Sequence, residues 1–165
     1  MTAVPYRLRQ ASKALGGALN SSQRAEIAPV LGPRLLPLFL TMGPLGQRHG
    51  YDAYRTLLAR GERHPDLLAA GLLHDAGKGR LGVPARAAWV LLGALSPALR
   101  ARLARAPLFG NLLGFAQNLH HAEQGARAAA CAGGSETLVR LIRDHKAQGA
   151  GDPLLLALQS ADDDN

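Results

Sequence analysis

Apolar positions recur along this chain at helical spacing, and no stretch sustains the alternation with β-branched enrichment that marks a half-buried strand. In "SETLVRLIRDHK" (residues 135–146), Leu138, Leu141, Ile142 and His145 stand at i, i+3, i+4 and i+7. That spacing predicts one apolar face ending in a histidine. In "DPLLLALQSADDD", Leu155, Leu158 and Asp162 share a face, while Asp163 follows Gln159 toward the polar side. "HPDLLAAGLLHD" opens with Pro65 at its first helical position and Asp66 in its first turn, both favourable there. It is oily enough to be buried, and His74 continues the face of Leu67, Ala70 and Gly71 before Asp75 follows. His49 lies with Met42, Leu45, Ala53 and Leu57, and His121 with Gly125, Ala128 and Ala129, small residues that permit close helix approach.

The same reading predicts helices over 5–19 and 21–31, the second opened by Ser21 or Ser22 and stopped near Gly32-Pro33. A short apolar helix or turn covers 34–43, and a further helix runs from about 45 to 60. "GKGRLGVP" reads as a loop. Helices then cover about 84–95, 97–105, 108–118, 121–132, 135–146 and 153–163, with clear breaks at Gly133-Gly134 and over 149–153. No internal repeat or long linker appears. The expectation is an all-α, single-domain helical bundle.

Composition narrows this little. A length of 165 residues, 47% hydrophobic and 19% charged, suits one globular domain with a sizeable core. The formal charge of +7 comes almost wholly from arginine. It suits anionic partners such as nucleotides, phosphate esters or nucleic acid, and it is equally what an Arg- and Ala-rich background gives with no ligand behind it. No nucleic-acid-binding motif accompanies it, so nucleic acid is not an expected partner. Cys131 is the only cysteine, which excludes an intrachain disulfide and a thiolate metal cluster. Its alanine neighbours predict a small buried residue. The first residues lack the apolar core of a signal peptide. "LLPLFLTMGPLG" is short and broken by Pro37 and Pro44, and no segment approaches a membrane span. The expected compartment is the cytoplasm.

The inward histidines and acids carry the chemistry. A buried carboxylate is costly unless paired or bound to a metal. His49, His74, His121 and His145 with Asp75 and Asp162 would suit a first-row divalent metal with nitrogen and oxygen ligands, whether iron, manganese, nickel, cobalt or zinc. Helices around a core can supply such ligands. His64, before Pro65, reads as a cap or loop residue, and His120 as out of register. Glu123 reads as an early-turn helix acid, with water activation as its alternative. Asp163 and Asp164 read as solvated.

"HPDLLAAGLLHDAGKG" resembles the central motif of the HD-domain superfamily of metal-dependent phosphohydrolases. The extended His-Asp-Ala-Gly-Lys at the end of an apolar helix carries the resemblance, and His49 upstream and Asp162 downstream complete its H…HD…D order. The likeness covers about 44–164, dividing the chain into an N-terminal helical extension (1–43) and a metal-binding domain (44–165) packed as one unit. Residue by residue, His49, His74, Asp75 and Asp162 match the ligands of the first metal. "HAEQGA" from His121 resembles the H-x-E-x-G segment of members with two metals, and His145 matches their next histidine. In that subset the resemblance implies that Asp75 bridges, that His74, His121 and His145 serve the second metal, and that His49 and Asp162 serve the first. Lys78 matches a lysine near the substrate phosphate, with Arg80 and Arg86 as weaker candidates.

The resemblance therefore implies one or two divalent ions and hydrolysis of a nucleotide or other small phosphate mono- or diester by a metal-activated water, with Asp75 and Lys78 as the catalytic residues. "KAQGAGDP" lacks the Gly-Tyr-Pro loop of the members that cleave cyclic dinucleotides, so that substrate is not expected. A di-iron oxygenase of the same type fits the six ligands equally well. A non-catalytic, metal-stabilised nucleotide-binding or signalling domain is the third reading.

Overall fold

A computed structural model describes residues 18–78, 96–105, 115–147 and 151–165. The helix expected over 84–95, most of those over 5–19 and 108–118, and Arg80 and Arg86 lie outside the described residues; Ala18 and Leu19, the expected end of the first helix, are not helical. Seven α-helices are present, and no strand occurs among the described residues. They are α1 (Ser21–Thr41), α2 (Pro44–Ala59), α3 (Pro65–Leu73), α4 (Pro97–Arg105), α5 (Phe115–Cys131), α6 (Glu136–Asp144) and α7 (Pro153–Asp163). A 3₁₀ turn, Ala76–Lys78, follows α3. The architecture is an all-α bundle.

Local chemistry sets the boundaries. Asn20 caps α1, accepting from the Gln23 amide while the Gln23 side chain accepts from the Asn20 amide. This reciprocal box satisfies two orphan donors, and it places the cap at Asn20, upstream of the expected Ser21 or Ser22. Gly32 breaks the helical path at φ 60 and ψ 179, a conformation open mainly to glycine. The two apolar stretches expected separately over 21–31 and 34–43 therefore run end to end across that kink. Pro65 and Pro153 open α3 and α7, and Ser135 and Asp152 cap α6 and α7 through their side chains. The break expected between 118 and 121 is absent. No glycine or proline stands there, and α5 continues through.

Every residue of α3 from Leu67 to Leu73 is buried, as an all-apolar helix requires. It lies among α1, α2, α6 and α7. Leu57, Leu67, Leu72, Leu141, Ile142 and Leu158 are wholly buried in the one core cluster, which Ile27, Leu31 and Phe39 of α1 also join. Each such side chain contributes about 1.5–3 kcal/mol of apolar burial. Two glycines set the closest approaches. A Cβ on Gly50 would stand 2.5 Å from the Leu72 carbonyl oxygen, so α2 and α3 cross nearly backbone to backbone. A Cβ on Gly77 would stand 2.0 Å from the His121 carbonyl oxygen, which seats the 3₁₀ turn directly on α5.

Cys131 is exposed, not buried as its alanine neighbours suggest. The buried face of α5 runs through Ala126 and Ala129, and two further residues rotate Cys131 by about 200° from Ala129. No helix among the described residues is long and apolar enough to cross a membrane.

Candidate metal centre

The ends of the buried stripes meet. His74 is the C-cap of α3, its amide still bonded to the Ala70 carbonyl at 2.8 Å. Asp75 follows at the entrance to the 3₁₀ turn, and the Lys78 amide closes that turn on the Asp75 carbonyl at 3.0 Å. His49 comes from α2, one position before the Gly50 crossing, and His121 from α5, at the seat of Gly77. His145 is the C-cap of α6, and Asp162 lies in the last turn of α7. Tight helix crossings thus bring residues far apart in sequence to one place.

Two sets of three ligand atoms form, each set within 4.8 Å: His49, His74 and Asp162, and beside it Asp75, His121 and His145. His49 Nε2 is 2.8 Å from Asp162 Oδ1 and 3.2 Å from His74 Nε2. His121 Nε2 and His145 Nε2 are 3.3 Å apart. The two sets adjoin, since the His74 and His145 rings make an edge-to-face contact at 5.3 Å. Asp75 lies between them. Its carboxylate comes within 3.8 Å of His49, 3.9 Å of His74, 3.5 Å of His121 and 3.9 Å of His145. His74 stands with His49 and Asp162, as the match to the first-metal ligands implied, and not with His121 and His145 as in the two-metal subset. The cause is geometric: His74 Nε2 points across to α2 and α7, where it lies 3.4 Å from Asp162 Oδ1.

The ring orientations are fixed by the backbone. His74 Nδ1 donates to the Gly71 carbonyl at 3.0 Å, and His145 Nδ1 donates to the Ile142 carbonyl at 2.7 Å. A carbonyl only accepts, so Nδ1 of each ring carries a proton, and Nε2 is the atom left facing the cluster, free to give a lone pair to a metal once it carries no proton. Such outer hydrogen bonds orient metal-ligating histidines.

Charge reinforces the picture. Burial alone would raise the Asp75 pKa, but His74, Lys78, His49 and His121 outweigh it and hold the carboxyl below the usual range. Burial also works to raise Asp162, and hydrogen bonds from His49 and His74 overcome it in the same way. For His74, burial is outweighed by the Asp75 and Asp162 carboxylates, which raise it. His145 is pushed down to about 3 by burial and by the neighbouring His74 charge. Both acids are therefore ionised at neutral pH, and His145 is a neutral donor.

The residues fit a divalent cation on two counts. Asp75 Oδ1 is buried and accepts no hydrogen bond, an expensive condition for a carboxylate oxygen. The imidazole nitrogens face each other in pairs, and all six donors are nitrogen or oxygen, the set that first-row divalent metals take. Each cluster can hold a metal ion.

The other expected residues go elsewhere. His64 stands at the N-cap of α3 without a side-chain cap bond, and His120 is exposed. Glu123 accepts from Arg127 Nε at 3.0 Å and pairs with Arg143 at 3.4 Å, which engages it in surface ion pairs away from the cluster. Asp163 and Asp164 are exposed. Lys78 Nζ donates to Asp75 Oδ2 at 2.6 Å. The sequence reading did not single out Lys146, whose Nζ donates to Asp162 Oδ2; its place next to His145 was the available signal.

No protein-family model, no curated protein and no solved structure matches the chain.

Proposed function

We propose that this protein is a metal-dependent phosphohydrolase of the HD-domain type, holding two divalent ions and acting on a nucleotide or other small phosphate ester. The observation that carries the proposal is Asp75, one buried carboxylate in reach of four imidazoles from four different elements. His49, His74 and Asp162 would hold one ion, and His121 and His145 the other, with Asp75 reaching both. Bound there, divalent ions supply Lewis acidity toward phosphoryl oxygens and bring the pKa of a water toward neutrality.

The chain's own residues do the rest. The Gly71 and Ile142 carbonyls hold the His74 and His145 rings in one orientation, so the site needs no rearrangement to bind. Asp75 and Asp162 carry the compensating negative charge. Of the six ligands only His49, with its side chain 25% exposed, reaches solvent appreciably, and Lys78 is 22% exposed. Substrate would approach along that side. Lys78, which among the described residues spends one N–H donor, on Asp75, would meet a phosphate oxygen there.

Purified protein should hydrolyse members of a nucleotide and phosphate-ester panel when supplied with manganese, iron, cobalt or nickel, and Asp75→Ala should abolish this. Hydrolysis that survives both chelation and that substitution would sink the proposal. The nitrogen and oxygen donor set also suits a di-iron oxygenase. Oxygen uptake coupled to turnover of an unphosphorylated or phosphonate substrate would favour that reading instead.

A further inference from the structure

Asp75 and Asp162 divide their oxygens alike. The Oδ1 atom of each faces imidazoles: His49 at 2.8 Å and His74 at 3.4 Å for Asp162, and His121 at 3.5 Å for Asp75. The Oδ2 atom of each accepts from a lysine, Lys78 for Asp75 and Lys146 for Asp162. Lys146 has no place in the reading above.

Its position is built. Gln159 Nε2 donates to the carbonyls on both sides of it, His145 at 3.2 Å and Ala147 at 2.7 Å. The backbone there is pinned, while the side chain is 53% exposed. The neighbouring cations of α6 are engaged on the outer surface, Arg140 with Asp152 and Arg143 with Glu123. Among the described residues, Asp162 is the one carboxylate within ion-pair distance of Lys146. An ammonium has three donors and no acceptor. Among the described residues one is used on Asp162, and two remain at the solvent edge of the ligand cluster.

We infer that Lys146 is a second anion contact of this site, and that Lys78 and Lys146 together select a phosphate with two ionised oxygens over a singly charged phosphodiester. The preferred substrate class is then a phosphomonoester or the end of a polyphosphate. This inference rests on the phosphohydrolase reading. Two carboxylates and two ammonium groups cancel in charge. Histidines that bind metal are neutral, so each divalent ion adds two uncompensated positive charges to the site. An excess of that size beside buried groups favours the more highly charged anion.

The test is calorimetric titration of the metal-loaded full chain with pyrophosphate and with dimethyl phosphate. Pyrophosphate should bind at least about tenfold more tightly, as a difference in charge at such a site requires. Lys146→Gln should weaken pyrophosphate binding about tenfold, the loss of one charge-assisted hydrogen bond. Lys146→Arg should restore most of it, and both variants should keep the wild-type metal content. In turnover, Lys146→Gln should raise KM and leave kcat nearly unchanged. Equal affinity for the two anions would overturn the inference. So would a Lys146→Gln protein that binds pyrophosphate like wild type and changes only in metal affinity, since Lys146 would then merely balance Asp162. Metal content separates the two levels: a chain that takes up no metal defeats both readings. One that binds metal and pyrophosphate but is indifferent to Lys146 defeats this inference alone.

Discussion

Asp75→Asn is the most informative single change. Asparagine keeps the shape of the side chain and removes its charge from a position 4% exposed. In the metal-free protein two effects oppose. Lys78 loses its 2.6 Å partner, while a buried carboxylate no longer has to be desolvated. Breaking a buried pair by removing one member costs about 3–5 kcal/mol when the survivor stays buried. Lys78 is 22% exposed and can turn into solvent, so the net loss should be smaller, about 1–2 kcal/mol. For a chain of this size that is a fall of about 2–8 °C in Tm. The metal-dependent part should be larger. A ligand at a thousand times its Kd stabilises by about 4 kcal/mol, which corresponds to a rise of about 8–16 °C on loading wild type. Asp75→Asn should lose most of that increment, because in the proposed site Asp75 serves both ions. The assay is a pair of thermal melts, chelated and loaded, with Asp163→Asn as the exposed control. An Asp75→Asn protein with the full wild-type increment on metal loading would refute the reasoning.

Acid should weaken the metal-free fold. His145 takes a proton near 6.5 when unfolded but only at about 3 when folded, so the unfolded chain binds more protons in that window and stability falls as pH drops through it. Asp75 and Asp162, held below the usual range, lose their contribution as pH falls below about 3.8. His74, raised in the fold, opposes this by favouring the folded state in acid. The net expectation is a falling urea midpoint for chelated protein between pH 7 and pH 4, and a flat profile would contradict it. Gly77→Ala should destabilise by about 2–3 kcal/mol, as overpacking against rigid backbone does. Its methyl would meet the His121 carbonyl oxygen at 2.0 Å and the Gly125 nitrogen at 2.7 Å. The 3₁₀ turn must then lift from α5, and metal content should fall with it; unchanged Tm and metal content would count against the packing argument. Asn20→Ala should cost about 1 kcal/mol through the lost capping box, seen in Tm, with metal content unaltered.

Much of the helical framework could be read from the chain because its signals are local. Pro65 fixes its own backbone at the start of α3, Ser135 and Asp152 accept from neighbouring amides, and the stripe Leu138, Leu141, Ile142, His145 needs only one helix's period to be recognised. The same register aimed His49, His74, His121, His145 and Asp162 inward. Partnership between helices is a different matter. That His74 stands with His49 and Asp162, and Asp75 beside His121, depends on how α2 crosses α3 at Gly50 and how the 3₁₀ turn seats on α5 at Gly77, backbone contacts that no periodicity encodes. Lys146 escaped notice for a related reason. It sits just beyond α6, where helical register no longer applies, and its role comes from Asp162, sixteen residues further on. Glu123 shows the converse, since its spacing from His121 suggested chemistry and its ion pairs with Arg127 and Arg143 account for it. Cys131 misled because alanine neighbours report composition, not the face a residue occupies.

The proposed function depends on six side chains from five elements forming one divalent-metal centre. Metal analysis of protein purified anaerobically under native conditions tests it most directly. Two transition-metal ions per chain are expected, both lost or reduced to substoichiometric levels in Asp75→Asn. Protein that holds no metal after such purification, and takes up none when supplied with iron, manganese, cobalt, nickel or zinc, would contradict it.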